Sequence, residues 1–255
     1  KVWRYGEDDV RPMPVTTARG CVFKCTFCHY TFWDDPYRHR SPQNVIAEIR
    51  QNQKKYGANY FNFWDDLSFH KLGPAEKFLD ALIEADLGIH FTAAVRSDLL
   101  GRTDIPREDR ERVAYKFREA GAVVLGYSLE SANDQILEAM NKRVKAEYFE
   151  EQVNILREVG DIVSMTSLVF GYPQETAETI AQTMQKCMDL KIYPSPGFVL
   201  PLPSTGMWKH ALDTGLIKDP DDFLTDLTER QDIVINMTDT MSDEELFNEV
   251  TNWLQ

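Results

Sequence analysis

The sequence has 255 residues, of which 43% are hydrophobic and 27% charged, as expected for a globular protein with one substantial core. Its formal net charge of -13 argues against a broad nucleic-acid-binding surface, which would need clustered lysine and arginine. No apolar run approaches the roughly 20 residues needed to cross a bilayer, and four cysteines do not form a disulfide framework in this length. We therefore expect a cytoplasmic protein that binds no membrane, and the acidic charge weighs against a nucleic-acid partner without excluding a local basic patch.

Strands and helices are predicted to alternate along most of the chain. Residues 1-12 are mixed and polar, and we interpret them as an N-terminal segment or linker. A short run rich in β-branched residues, Pro14 to Ala18, predicts the first strand. The later strands are predicted over 60–64, 89–95, 122–129, 162–170 and 192–200. Helical periodicity is found over 42–56, 74–87, 108–120, 133–140, 146–159 and 175–190.

This alternation is typical of parallel βα units. Six units fit residues 13-215, which predicts an α/β fold of the partial (β/α)6 TIM-type barrel class with parallel strands. A flavodoxin-like open sheet is the alternative architecture. Residues 216-255 are predicted as a C-terminal helical segment. In either architecture, functional groups should lie at the C-terminal ends of the strands.

Polar residues and glycines do collect after the predicted strands. From the second strand to the fifth they are Asp65, Asp66, Arg96, Ser128, Glu130, Gly171 and Glu175. Each alone has an ordinary structural interpretation, such as a helix cap, a surface ion pair or a first-turn acid. Their shared position at one edge of a parallel sheet favours a common site.

Three of the four cysteines follow the first strand with the spacing CxxxCxxC. Cys21, Cys25 and Cys28 could converge on one metal centre. Because a four-iron cluster takes one ligand per iron, three thiolates leave one iron open to a substrate or cofactor. The spacing therefore favours catalysis over electron storage. We interpret the fourth cysteine, Cys187, as a buried thiol on the apolar side of its helix.

Other interpretations of the cysteines remain open. Zinc could use His29 as a fourth ligand, although no second cysteine pair follows. Residues 25–29 also match the CxxCH pattern of covalent haem attachment, which would leave Cys21 without a role. The three could be buried or disulfide-bonded, although an odd number cannot all pair.

The sequence resembles the radical S-adenosylmethionine (SAM) superfamily over roughly residues 13-215. The resemblance is carried by the CxxxCxxC motif after the first strand, by the aromatic Phe27 before the third cysteine and by the repeated βα units. It implies that Cys21, Cys25 and Cys28 hold a 4Fe-4S cluster whose fourth iron is chelated by SAM. Reductive cleavage of SAM would then give methionine and a 5′-deoxyadenosyl radical.

The resemblance also implies a set of SAM contacts, although this chain lacks the Gly-Gly-Glu form of the second-strand motif. The adenine of SAM would be contacted near Phe27 and Tyr30 and supported by the glycine motif that includes Gly171 and Glu175. Asp65 and Asp66 would contact the amino group of SAM, and Arg96 would contact its carboxylate. Ser128 and Glu130 would contact its ribose or methionine part. The resemblance assigns no acid, base or hydrogen donor.

A closer resemblance is to the cobalamin-binding radical SAM enzymes and the related methylthiotransferases. It rests on stretches such as 17–21, 64–69 and 171–176. In the cobalamin group a separate Rossmann-like domain precedes the radical domain, and a chain beginning at Lys1 fits a cut at that boundary. Cobalamin would then be bound mainly by a domain outside this chain.

The resemblance implies hydrogen abstraction, or cobalamin-assisted methyl transfer or rearrangement, on a small molecule. It also implies an external electron donor such as flavodoxin or ferredoxin. A methylthiotransferase is the first alternative, against which the acidic charge weighs because its substrate would be a transfer RNA. A non-catalytic metal-binding module is the second.

Overall fold

The computed structural model describes residues 3–5, 8–30, 36–229 and 235–254. Its strands are β1 (Trp3–Tyr5), β2 (Asp8–Val10), β3 (Pro12–Val15), β4 (Ala18–Arg19), β5 (Arg38–His39), β6 (Tyr60–Phe63), β7 (His90–Ala94), β8 (Ala122–Gly126), β9 (Val163–Phe170) and β10 (Pro194–Phe198). Its helices are α1 (Pro42–Tyr56), α2 (Leu72–Ala85), α3 (Arg107–Glu119), α4 (Asp134–Ala139), α5 (Ala146–Val159), α6 (Ala177–Asp189), α7 (Gly206–Asp213), α8 (Pro220–Glu229) and α9 (Asp243–Asn252).

Six strands form one parallel sheet in the order β10-β9-β8-β7-β6-β3. Each of these strands lies beside the one that follows it along the chain. A flavodoxin-like sheet would instead reverse its strand order at a switch point. The topology therefore confirms the predicted α/β fold of the partial (β/α)6 type.

Two further pairs of short strands are antiparallel. Strand β1 pairs with β2 inside the predicted N-terminal segment, which the sequence did not indicate. Strand β4 pairs with β5, so that Ala18 lies opposite His39. The first parallel strand begins at Pro12, two residues earlier than predicted.

The chain divides into two compact units. The first contains residues 1–22, 35–128 and 147–165, and the second contains residues 23–34, 129–146 and 166–255. Within the described residues, no helix is long and apolar enough to cross a membrane.

The first unit has an aromatic core. The rings of Phe63 and Phe91 stack with their centroids 4.5 Å apart, and Phe69 lies 5.3 Å from Phe78 and 5.7 Å from Phe117. All five rings are buried. Burial of such a side chain contributes roughly 1.5–3 kcal/mol, so this cluster fixes β6, β7 and the loops that follow them.

In the second unit, helix α6 carries its buried residues on one face. Thr176 caps the helix by accepting a hydrogen bond from the N–H of Thr179. Ile180, Met184 and Cys187 are buried, which confirms the buried thiol, whereas Met188, which the periodicity placed on the same face, is exposed. Burial raises the pKa of Cys187 to about 11, so this thiol stays protonated at neutral pH.

Helix α1 begins and ends where its local signals predict. The side chain of Ser41 accepts the N–H of Asn44, and Pro42 occupies the first turn, where its missing N–H has no partner to lose. Gly57 ends the helix at a φ of 63°, a left-handed conformation that costs glycine little.

The loop after β7 is tightly enclosed around Gly101. The N–H of Leu100 donates to Gln152 Oε1 at 2.8 Å, and the Arg110 guanidinium donates to the Leu100 carbonyl at 3.0 Å. A Cβ atom at Gly101 would lie 1.8 Å from the carbonyl oxygen of Tyr148, which is a backbone atom that cannot rotate away.

We predict that Gly101→Ala destabilises the chain by about 2–3 kcal/mol, because helix α5 and the loop must separate to admit the methyl group. The matched control is Gly73→Ala in helix α2, where an added Cβ meets nothing within 4 Å. The control should be neutral or stabilising by up to about 1 kcal/mol, since alanine is the better helix former. Urea unfolding followed by circular dichroism measures both, and equal effects of the two variants would contradict the prediction.

Candidate functional site

The three motif cysteines form no disulfide bond. Cys25 is buried, and Cys21 and Cys28 are half-buried. Cys21 belongs to the first unit, whereas Cys25 and Cys28 belong to the second. A disulfide interpretation is therefore not supported for any of them.

Over the described ranges, no three His, Cys, Asp or Glu side chains are grouped closely enough to hold one metal ion. A 4Fe-4S cluster makes a different demand, because each thiolate binds its own iron. Thiolate sulfur is the donor that iron–sulfur clusters use, so the chemistry of this donor set fits such a cluster.

In the first unit, Asp65 anchors the segment that leads from β3 to Cys21. Its Oδ1 accepts the N–H groups of Thr17 at 2.8 Å and Ala18 at 3.0 Å. Its Oδ2 accepts the hydroxyls of Thr17 at 2.5 Å and Ser68 at 2.8 Å. Four donors on one carboxylate fix the position of the chain three residues before the first cysteine.

The other predicted residues of the first unit also follow their strands. Arg96 is buried, and its Nε donates to Asp98 Oδ1 at 3.0 Å in the loop after β7. Asp66 is exposed, and Ser128 is half-buried two residues beyond β8. Their contacts to SAM stay predictions.

In the second unit, Thr26 fixes the loop between Cys25 and Cys28. Its N–H donates to the Met140 carbonyl at 2.9 Å, and its own carbonyl accepts the N–H of Met207 at 3.1 Å. Its hydroxyl lies 2.9 Å from the hydroxyl of Tyr172. Three distant parts of the chain therefore hold the residue that follows the second cysteine.

Aromatic rings surround this loop. The ring of Phe27 meets the ring of Tyr172 edge to face, with centroids 6.3 Å apart. Tyr30 contacts the ring of His29 at 4.3 Å. The ammonium of Lys142 lies 5.8 Å from the centroid of Phe27, within the range of a cation–π interaction.

Glu130 is a buried, strained residue of the second unit. Its φ of 61° is unusual for a residue other than glycine and marks a position of functional interest. Its Oε1 accepts a hydrogen bond from the Lys142 ammonium at 2.6 Å, whereas its buried Oε2 has no hydrogen-bond partner in the protein. A buried carboxylate oxygen without a partner is costly, and it fits a ligand that donates a hydrogen bond.

Glu175 and Gly171 lie at the end of β9. Glu175 is fully buried, its Oε1 accepts the Thr179 hydroxyl at 2.6 Å, and its carbonyl accepts the Thr240 hydroxyl at 2.6 Å. Gly171 has a φ of 91°, and an added Cβ would lie 3.3 Å from Leu246. These contacts attach the segment before α9 to the glycine motif.

Sequence reasoning missed Lys142, Thr26 and Tyr172. Lys142 follows the short helix α4 in a polar stretch with no periodicity. One signal could have found it: Glu130 stands after an apolar run, and a carboxylate in that position needs a positive partner.

The sequence profile of the Radical SAM superfamily matches residues 15–187. The chain belongs to the radical SAM superfamily. Enzymes of this superfamily use a 4Fe-4S cluster together with SAM, which confirms the expected class of cofactors.

Two individual relatives carry different activities in their names. The chain is 32% identical over 173 residues to the anaerobic magnesium-protoporphyrin IX monomethyl ester cyclase of Rubrivivax gelatinosus, covering 68% of this chain and 30% of the cyclase. It is 29% identical over 188 residues to the tRNA-2-methylthio-N(6)-dimethylallyladenosine synthase of Thermobifida fusca, covering 67% of this chain and 36% of the synthase.

A solved structure shares the fold. The radical SAM methyltransferase TsrM from Kitasatospora setae, with cobalamin and a [4Fe-4S] cluster bound, superposes with a TM-score of 0.63 at 18% identity. The match covers 78% of this chain and 39% of TsrM. The chain thus spans between 30% and 39% of the length of these three proteins.

We predict that Asp65→Asn lowers the free energy of unfolding by about 2 kcal/mol, because an amide nitrogen cannot accept two of the four hydrogen bonds. The matched control is Asp66→Asn at the exposed neighbour, which should stay within about 0.5 kcal/mol of the wild type. Urea unfolding of the cluster-free chain separates them. Equal stabilities of the two variants would show that Asp65 does not anchor this segment.

Stability should also depend on the titration of Glu175. Burial raises the pKa of Glu175 from 4.5 to about 7, while the Thr179 hydroxyl and the Gly171 N–H partly offset this rise. Between pH 4.5 and 7 the folded state therefore holds a proton that the unfolded state releases, so stability falls as pH rises through this window.

The Glu175→Gln variant, which resembles the protonated acid, should lose this pH dependence. We expect its stability relative to the wild type to increase by about 2–3 kcal/mol between pH 5 and pH 8. The control is Glu178→Gln, which makes the same substitution at an exposed position of helix α6. Urea unfolding at the two pH values measures the effect, and parallel pH dependences of Glu175→Gln and the wild type would contradict it.

Proposed function

We propose that this chain is the radical domain of an enzyme that cleaves SAM reductively at a 4Fe-4S cluster and acts on a small molecule. The observation that carries the proposal is the set of three cysteines in CxxxCxxC spacing, none in a disulfide, within the region that matches the family and with Thr26 holding the loop. Cys21, Cys25 and Cys28 would bind three irons of the cluster, and SAM would take the fourth.

When bound, the cluster and SAM supply an electron and a carbon-centred radical able to remove hydrogen from an unactivated C–H bond. The protein binds and orients these groups and excludes water. Phe27, within the cysteine loop, packs edge to face against Tyr172. The free oxygen of Glu130 would accept a hydrogen bond from SAM, and Ser128, Arg96 and the aspartates after β6 are proposed to complete its contacts.

Cobalamin-assisted methyl transfer or rearrangement is the chemistry that we favour, with hydrogen abstraction alone as the simpler form. TsrM, whose fold this chain shares, carries cobalamin, and the chain covers only 39% of TsrM. We propose that cobalamin is bound mainly by a domain outside these 255 residues. An external donor such as flavodoxin or ferredoxin would supply the electron.

A transfer RNA substrate, as named for the Thermobifida fusca relative, is the alternative. The net charge of -13 weighs against it, because binding a polyanion requires clustered positive charge.

A non-catalytic zinc module would need a fourth ligand besides the three cysteines, and the candidate is His29. His29 is exposed, and its ring contacts Tyr30.

The proposal is tested by anaerobic reconstitution with iron and sulfide. The chain should bind about four irons, and SAM plus a strong reductant should yield 5′-deoxyadenosine. Replacing Cys21, Cys25 or Cys28 by Ala should reduce bound iron severalfold and abolish 5′-deoxyadenosine formation. The matched control is Cys187→Ala, which removes the buried thiol of α6 and should keep both signals.

Metal analysis distinguishes the alternatives. One zinc per chain without iron would favour the non-catalytic module. A cluster that forms without SAM cleavage would indicate a scaffold that has lost its activity, and either result would overturn the proposal.

A further inference from the structure

The pairing of Glu130 with Lys142 joins two buried charges. Glu130 is 4% exposed and Lys142 is 8% exposed, and Lys142 Nζ donates to Glu130 Oε1 at 2.6 Å. A buried ion pair is a weak source of stability, because both charges lose their hydration. Such a pair is therefore better explained by the geometry that it imposes on one of its members.

The backbone of Glu130 is held in its unusual conformation from both sides by β9. Its N–H donates to the Ser167 carbonyl at 3.2 Å, and its carbonyl accepts the Val169 N–H at 3.2 Å. These two bonds fix the direction in which the side chain leaves the backbone. Lys142 then occupies one carboxylate oxygen, which leaves Oε2 as the single acceptor without a partner.

The backbone on either side of Lys142 fixes the direction of its side chain. Asn141 and Arg143, on either side of it, have positive φ values of 50° and 56°. The N–H of Lys142 donates to the Leu137 carbonyl at 3.0 Å, which fixes the turn after α4. A left-handed residue on each side is costly, and such strain persists where the surrounding structure requires it.

The same turn is bonded to the cysteine loop. The Asn141 side-chain amide donates to the Lys24 carbonyl at 2.7 Å, and the Met140 carbonyl accepts the Thr26 N–H. The Lys142 ammonium lies over the ring of Phe27, which stands between the second and third cysteines. One residue thus contacts both the strand-end carboxylate and the loop that carries the thiols.

We propose that Lys142 is a positioning residue for SAM binding. It holds Oε1 of Glu130, so that Oε2 alone is presented to a hydrogen-bond donor of the ligand, and it places a positive charge beside the cysteine loop. This inference rests on the proposed function. Lys142 acts on SAM binding through Glu130, and it takes no part in the chemical step.

The test compares Lys142→Met, Lys142→Arg, Glu130→Gln and the double variant Glu130→Gln/Lys142→Met in anaerobically reconstituted chain. Iron content and a thermal melt establish that each variant folds and carries its cluster. SAM binding is measured by equilibrium dialysis with labelled SAM and by the change that SAM causes in the electron paramagnetic resonance spectrum of the reduced cluster. The matched control is Lys145→Met, which changes an exposed lysine three residues away.

We expect Lys142→Met to weaken SAM binding by about tenfold or more, because removing one partner leaves a buried charge uncompensated. Lys142→Arg should restore most of the affinity and the spectroscopic change, and Lys145→Met should match the wild type. Adding Lys142→Met to Glu130→Gln should cost less than twofold, because Lys142 acts through the carboxylate that is already gone.

The reduction potential of the cluster supplies a readout that simple misfolding would not produce. Loss of the positive charge in Lys142→Met should lower the potential, and loss of the negative charge in Glu130→Gln should raise it. If Lys142→Met alone does not fold, the comparison of Glu130→Gln with the double variant decides. A further loss of affinity in the double variant would then overturn the inference.

The possible failures are distinguishable. Wild-type chain that takes up no iron, or that does not bind and cleave SAM, overturns the proposed function and this inference with it. Active wild type with unchanged affinity and potential in Lys142→Met overturns only the role of Lys142. Losses in Lys142→Met and Glu130→Gln that add in the double variant overturn it as well.

Discussion

The desolvation of a single carboxylate governs the arrangement of the second unit. Glu130 is removed from water at the end of a strand, where a negative charge must find compensation inside the protein. Lys142 supplies it, and the turn that carries Lys142 is bonded in turn to Lys24 and Thr26. The turn that satisfies this charge is therefore one of the three parts of the chain that hold the cysteine loop, beside Tyr172 and Met207.

A comparable constraint acts in the first unit. The chain leaves β3 and reaches Cys21 within six residues, with little room for regular structure. Asp65 holds this segment through the N–H groups of Thr17 and Ala18 and through two hydroxyls. The predicted contact of Asp65 to SAM stays a prediction, and the structure adds a second role in which its carboxylate accepts four hydrogen bonds from the protein. Its neighbour Asp66, exposed to solvent, has no such structural demand on it.

Local signals predicted the elements that are determined locally. Helix α1 follows from Ser41, Pro42 and Gly57, whose effects act on the nearest turn of backbone. The pairing of β1 with β2 was missed, because each strand has only three residues and the six mix charged with apolar side chains, too few to show a clear alternation. The charged turn after α4 gave no signal either, although it carries Lys142, the ion-pair partner of Glu130.

The sequence by itself determined the family, the parallel βα fold and the three thiols, because metal chemistry depends on the type and spacing of residues that are near one another in the chain. Tertiary structure alone decided which side chains support that motif. Tyr172 reaches Thr26 from 146 positions away, and Thr240 reaches Glu175 from 65 positions away. Which residues form such pairs depends on the path of the folded backbone and on the need to satisfy buried polar groups. Neither can be predicted from a local sequence pattern.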